Sequence, residues 1–174
     1  LIARFNAGTS FNSWRTFYGT DALGANAYSI TPDVLYGLAI KGGDLYVCGK
    51  AGGSNLPNSV NSKIVNGNFD GILAHFTTGG SPGLAKYTDG NTINYAVKVM
   101  GDSVYTVGET LNNLQTTNST GNYYYNATYG GSTDGCFSVH PLDLSTTIHN
   151  SYLGGNKYDA AYDIQITPNN LILI

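Results

Sequence analysis

The chain has 174 residues, 11% of them charged, and a formal net charge of −3. An average soluble domain carries about 25% charged residues. Its eight Lys and Arg are scattered singly, which excludes a phosphate-tracking basic stripe and with it nucleic-acid binding. No apolar run approaches the roughly 18 residues of a membrane span, so membrane insertion is not expected. Gly (23), Tyr (14) and many Asn, Ser and Thr take the place of charge. That combination of turn formers and strand-forming aromatics predicts an all-β chain with short connections.

In chain order, "LIARF" (1–5) and "SWRTFYG" (13–19) read as two strands, followed by a connection over 20–33. The opening resembles a strand and a turn rather than a signal peptide, so if the protein is secreted its targeting segment has been removed or lies outside this sequence. "VLYGLAIKGGDLYVCG" (34–49) then reads as a β-hairpin of alternating strands around a tight turn. A long connection (50–68) leads to "DGILAHF" (70–76) and "GLAKYTDG" (83–90). The pattern returns as the hairpin "NYAVKVMGDSVYTVG" (94–108), a longer connection (109–133), "DGCFSVH" (134–140) and "NSYLGG" (150–155). "AYDIQITPNNLILI" (161–174) opens a third copy. Tyr36 to Tyr46, Tyr95 to Tyr105 and Tyr162 to Ile172 are each ten residues apart, which predicts hairpins of equal length.

Four short antiparallel strands recurring every 60–70 residues are the signature of a β-propeller blade. One such sheet cannot bury both faces alone, so units stack. A two-sheet sandwich also has many short strands, but the repeat favours the propeller. The expected units are a half-blade and connection (1–33), blades at 34–93 and 94–160, and a half-blade at 161–174. Two blades and two halves predict a section of a larger propeller. The alternative is a short protein whose terminal halves are completed by another copy. On either expectation the apolar ending, Leu171, Ile172, Leu173 and Ile174, is an assembly edge.

The order "LQTT" (114–117), "TYGGSTDGCFSVH" (128–140), "NSYLGGNKYDAAYDIQI" (150–166) resembles the bacterial SBBP-type β-propeller repeats. "NLPNS" (55–59), "FDGILAHF" (69–76) and "SWRTFYGTD" (13–21) carry the same resemblance, whereas "GSPGLAKYTDG" (80–90) lacks the usual "YLGG" strand. The resemblance implies secreted or cell-surface bacterial proteins, often large and multidomain. It also implies that the first and fourth strands of a blade are its innermost and outermost.

On that strand order, the long connections 20–33, 50–68 and 109–133 share one face. Long loops on a rigid scaffold are where binding usually lives. Tyr123, Tyr124 and Tyr125, flanked by Asn122 and Asn126, are candidates to contact a surface glycan or a protein, as is Asn55 in the preceding long connection. The plainer alternative packs this run onto outer strands with alternate rings buried. Trp14 reads as blade packing rather than a ligand shelf.

No catalytic constellation, cofactor motif or metal-spacing motif stands out. His75 and His140 fall in matching strands, which reads as repeat geometry rather than a metal pair. Asp and Asn in "DGNTINY" (89–95) and "GGNKYDAAYD" (154–163) read as turn formers because they lack the spacing of a calcium loop. Asn118 and Asn126 begin formal glycosylation sequons. Cys48 and Cys136 read as two buried free thiols, although a disulfide is possible. The expected function is a noncatalytic surface module for assembly or adhesion, its partners further blades or other copies of itself. A lectin assembled from partial propellers and a fragment of a propeller-fold hydrolase or lyase are the competing readings.

Overall fold

A computed structural model describes residues 2–5, 12–16, 33–53, 56–61, 69–88, 91–112, 114–119, 123–167, 169 and 172–174. Among these residues every regular element is a strand. The strands are β1 (Ile2–Phe5), β2 (Asn12–Thr16), β3 (Val34–Lys41), β4 (Asp44–Ala51), β5 (Asp70–Phe76), β6 (Pro82–Thr88), β7 (Thr92–Met100), β8 (Ser103–Thr110), β9 (Asp134–Pro141), β10 (His149–Leu153), β11 (Gln165–Ile166) and β12 (Ile172–Leu173). β3-β4-β5-β6 and β7-β8-β9-β10 are four-stranded antiparallel sheets in which each strand pairs with its sequence neighbours. β1-β2 and β11-β12 are two-stranded sheets.

The repeat extends to backbone detail. In β3 the register shifts between Leu35 and Gly37, and in β7 between Asn94 and Ala96, so Tyr36 and Tyr95 stand at matching bulges. Gly49 and Gly108 lie across from them. A Cβ there would sit 1.9 Å from the Val34 carbonyl oxygen and 1.8 Å from that of Ile93, so the close approach admits only glycine. The β3–β4 turn uses Gly42 (φ 61) and Gly43 (φ 94), the left-handed pair that a two-residue hairpin favours.

Strand register corrects two sequence expectations. Lys98 pairs with Tyr105 as Ala39 pairs with Tyr46, but Gln165 pairs with Leu173. The third hairpin is therefore one residue longer, and Leu173, not Ile172, stands in the register of Tyr46 and Tyr105. His75 faces Tyr46, whereas His140 faces Val104, so the two histidines are one position apart in the repeat. The repeat mate of His140 is Phe76, which faces Leu45. A one-residue slip reverses which face a strand residue points to.

Apolar residues fill the faces between layers. On one side of the first sheet Val47, Ile72, Ala74, Phe76, Ala85 and Tyr87 pack with Ile2 of β1. Its other side packs on the second sheet through Tyr46, Cys48 and Leu73 against Val97, Val104 and Leu144. Beyond the second sheet, Tyr105, Val107, Phe137 and Val139 pack with Ala161, Ile164, Ile166 and Ile172. Cys48 and Cys136 are buried free thiols, and burial pushes the Cys48 thiol up to about 12.

Described parts of the long connections return to pair with the edge strands β6 and β10. Val60 N–H donates to the Ala85 carbonyl and Ala85 N–H to that of Asn58. Thr117 and Asn150 exchange a pair of backbone bonds in the second sheet. Each return is pinned by a tyrosine hydroxyl. Tyr87 accepts Leu56 N–H at 3.0 Å, and Tyr152 accepts Leu114 N–H at 3.0 Å.

Among the described residues the first strand of the first sheet carries an exposed apolar stripe. Tyr36, Leu38 and Ile40 of β3 are 46%, 66% and 67% exposed, although their repeat mates Tyr95, Val97 and Val99 lie against the first sheet.

Candidate functional site

The tyrosine run lies beside β10 and is bonded to it. Asn126 N–H donates to Ser151 Oγ at 2.8 Å, and the Asn126 carbonyl accepts Tyr152 N–H at 3.0 Å. His149 is fully buried, with Nε2 2.9 Å from the Tyr124 carbonyl and Nδ1 3.4 Å from Ser119 N. The imidazole thus donates from Nε2 and accepts at Nδ1, which is its neutral form. Burial lowers its pKa, and the bond to Tyr124 only partly offsets this.

The three rings divide by environment. Tyr123 is half-buried against Tyr105, Phe137 and His149, and burial with its bond to Tyr105 pushes its hydroxyl up to about 12. Tyr124 is 62% exposed. Tyr125 lies edge-on to His149, and its hydroxyl donates to Thr116 Oγ1 at 3.4 Å. Tyr124 is therefore the ring offered to solvent, while Tyr123 anchors the loop.

A second cluster forms where the two bulges and the third repeat converge. The rings of Tyr36 and Tyr95 are 5.3 Å apart, and those of Tyr95 and Tyr162 are 5.0 Å apart. Tyr158 donates its hydroxyl to Glu109 Oε2 at 2.5 Å and lies 3.2 Å from the Tyr162 hydroxyl. Burial and the Glu109 carboxylate raise the Tyr95 pKa, and for Tyr158 the bond to Glu109 is the leading cause. Charge on Glu109 opposes ionisation of phenols that donate to it. Sequence reading found Tyr36, Tyr95 and Tyr162 as strand leaders. The bulges at Tyr36 and Tyr95 carried no composition signal.

Neither a protein-family model nor a curated protein matches the sequence.

The cluster offers apolar rings, phenol donors and one carboxylate on a common surface, which suits contact with a polar partner. Elsewhere, Asp44 holds the β3–β4 turn to the end of β5. It accepts Thr78 N–H at 2.8 Å and lies 3.1 Å from His75 Nε2. Burial works to raise its pKa, but the bonds from His75 and Thr78 outweigh it and the net shift is downward. Among the described residues no three His, Cys, Asp or Glu side chains gather as metal ligands. Of the other sequence candidates, Ile172 pairs with Ile166 and packs against the core beyond the second sheet, Leu173 pairs with Gln165, and Ile174 is 55% exposed. Asn55, Asn122 and Leu171 lie outside the described residues.

Proposed function

We propose that the chain is a section of a β-propeller acting as a noncatalytic module of the cell surface or extracellular space. Its uncovered first-strand face docks a further two-stranded unit of the same repeat, from another blade of the same protein or another copy. The exposed stripe of Tyr36, Leu38 and Ile40 carries this reading. The same stripe on β7 is covered by the first sheet, and this repetition supports a like unit as the occupant. Burying Leu38 and Ile40 would each contribute about 1.5–3 kcal/mol. Ile2 already packs in the core cluster on this side of the sheet, so a docked hairpin would complete a layer that β1 and β2 begin. The SBBP resemblance supports the location, and the tyrosine cluster beside Glu109 supplies a polar contact surface on the loop side.

Sedimentation velocity tests the reading. The chain with an open face should self-associate reversibly, and a Leu38→Lys/Ile40→Lys variant should remain monomeric with unchanged far-ultraviolet circular dichroism. A wild-type chain that stays monomeric at its highest soluble concentration would overturn it.

A further inference from the structure

Two carboxylates converge at the start of β9. Asp134 is 1% exposed. Its Oδ2 accepts Gly130 N–H at 2.8 Å, whereas its Oδ1 is buried without a hydrogen-bond partner. Oδ1 lies 3.1 Å from the point a Cβ on Gly154 would occupy, and Asp159 Oδ2 lies 3.0 Å from the same point. Asp159 is held there by accepting Gly155 N–H at 2.8 Å, while its own N–H donates to the Thr133 carbonyl at 2.8 Å. Glycine at 154 thus leaves room between two carboxylate oxygens.

Neither acid belongs to the ion pairs among the described residues, Lys41–Asp102 and His75–Asp44. A buried carboxylate oxygen without a partner is costly, and a second acid facing it adds repulsion. The charge of Asp134 reaches its surroundings: after burial, it is a cause of the raised pKa of Tyr129. The fold does not demand this pairing. In the first sheet Asp70 holds the register of Asp134 and accepts Asn91 N–H at 3.3 Å, while Thr92 stands where Asp159 does in the second.

We propose that Asp134 and Asp159 bind a calcium ion beside Gly154, with backbone carbonyls and water completing the shell. Calcium accepts six to eight oxygens at about 2.3–2.6 Å in adaptable geometry, whereas magnesium demands a near-ideal octahedron at about 2.0–2.1 Å. Oxygens fixed by a strand and a connection suit the larger ion. With two acids the site falls in the weak class, with a dissociation constant on the order of 10⁻⁴–10⁻³ M. The ion would tie the connection 154–159 to β9 and so hold Tyr158 against Glu109.

Terbium luminescence tests the site, because Tyr129 and Tyr152, paired rings on which the Asp134 charge acts, can sensitise a bound lanthanide. Wild type should show saturable sensitised emission that calcium displaces and magnesium does not, and its melting temperature should rise by several degrees in calcium. Asp159→Asn, which keeps an acceptor for Gly155 N–H, should lose both responses. Asp134→Asn should do the same, and Asp102→Asn should keep both. Absence of saturable emission from wild type, or its survival in Asp159→Asn with intact circular dichroism, would overturn the proposal.

Discussion

Replacing His140 by Phe should make stability less sensitive to mild acid. The ring is buried in β9, with Nδ1 donating to the Thr146 carbonyl at 3.2 Å and Nε2 buried without a partner. A proton on Nε2 would be charged and unsolvated, so burial pulls the His140 pKa down to about 4. Lys86 lowers it further, and the Thr146 bond only partly opposes this. An unfolded histidine titrates near 6.5. As pH falls, the unfolded chain therefore takes up the proton first. This contribution to stability is intact above about pH 6.5, shrinks as pH falls, and is fully lost near pH 4. Each tenfold rise in proton concentration across that window costs about 1.4 kcal/mol, so going from pH 7 to pH 4.5 should cost about 2.5 kcal/mol. Phe is the residue the fold already holds in this register, as the fully buried Phe76 of the first sheet. At pH 7 the variant should lie within about 1 kcal/mol of wild type, because it loses one hydrogen bond but removes one orphaned acceptor. Urea denaturation at both pH values gives the two differences. His149 and the carboxylates titrate alike in both proteins, so the contrast isolates His140. Parallel pH dependence of the two would refute the argument.

Tyr152→Phe removes the acceptor for Leu114 N–H and should cost about 1–3 kcal/mol by urea denaturation. Amide exchange at Leu114 should rise in the same variant while that of β8 is unchanged. Gly108→Ala places a methyl group 1.8 Å from the Ile93 carbonyl oxygen, so the β7 bulge must open. It should cost about 3 kcal/mol or more in thermal or urea unfolding, whereas an ordinary exposed substitution stays within about 0.5 kcal/mol.

The sheets were legible in the sequence because alternation and recurring glycines report directly on pairing. Gly49 and Gly108 mark the strand ends at which backbone carbonyls crowd them. Register was less legible because it is set by turn length and bulges rather than by residue identity. Matching His75 to His140 aligned two identical letters and missed that the common anchors are Asp70 and Asp134, which face Ala51 and Thr110. The extra residue of the third hairpin was hidden by a run of similar apolar residues. The Tyr123–Tyr125 run was visible as a cluster, but the buried His149 that positions it lies 24 or more residues away. The pairing of Asp134 with Asp159 likewise depends on a bare backbone at Gly154, which carries no chemical signature of its own.

The returning connections give the two large sheets a particular mode of encounter. An outermost strand with open amides is a template for indefinite strand addition, the route to fibres. Here Asn58 and Val60 bond to β6, and Thr117 and Asn126 bond to β10, so both of these edge strands are already engaged. On the proposed function, the adhesive surface is a patch of side chains on β3. Contacts through side chains depend on shape and exchange freely, and they saturate once the patch is filled. A molecule that docked its own kind in this way could be crowded and still come apart.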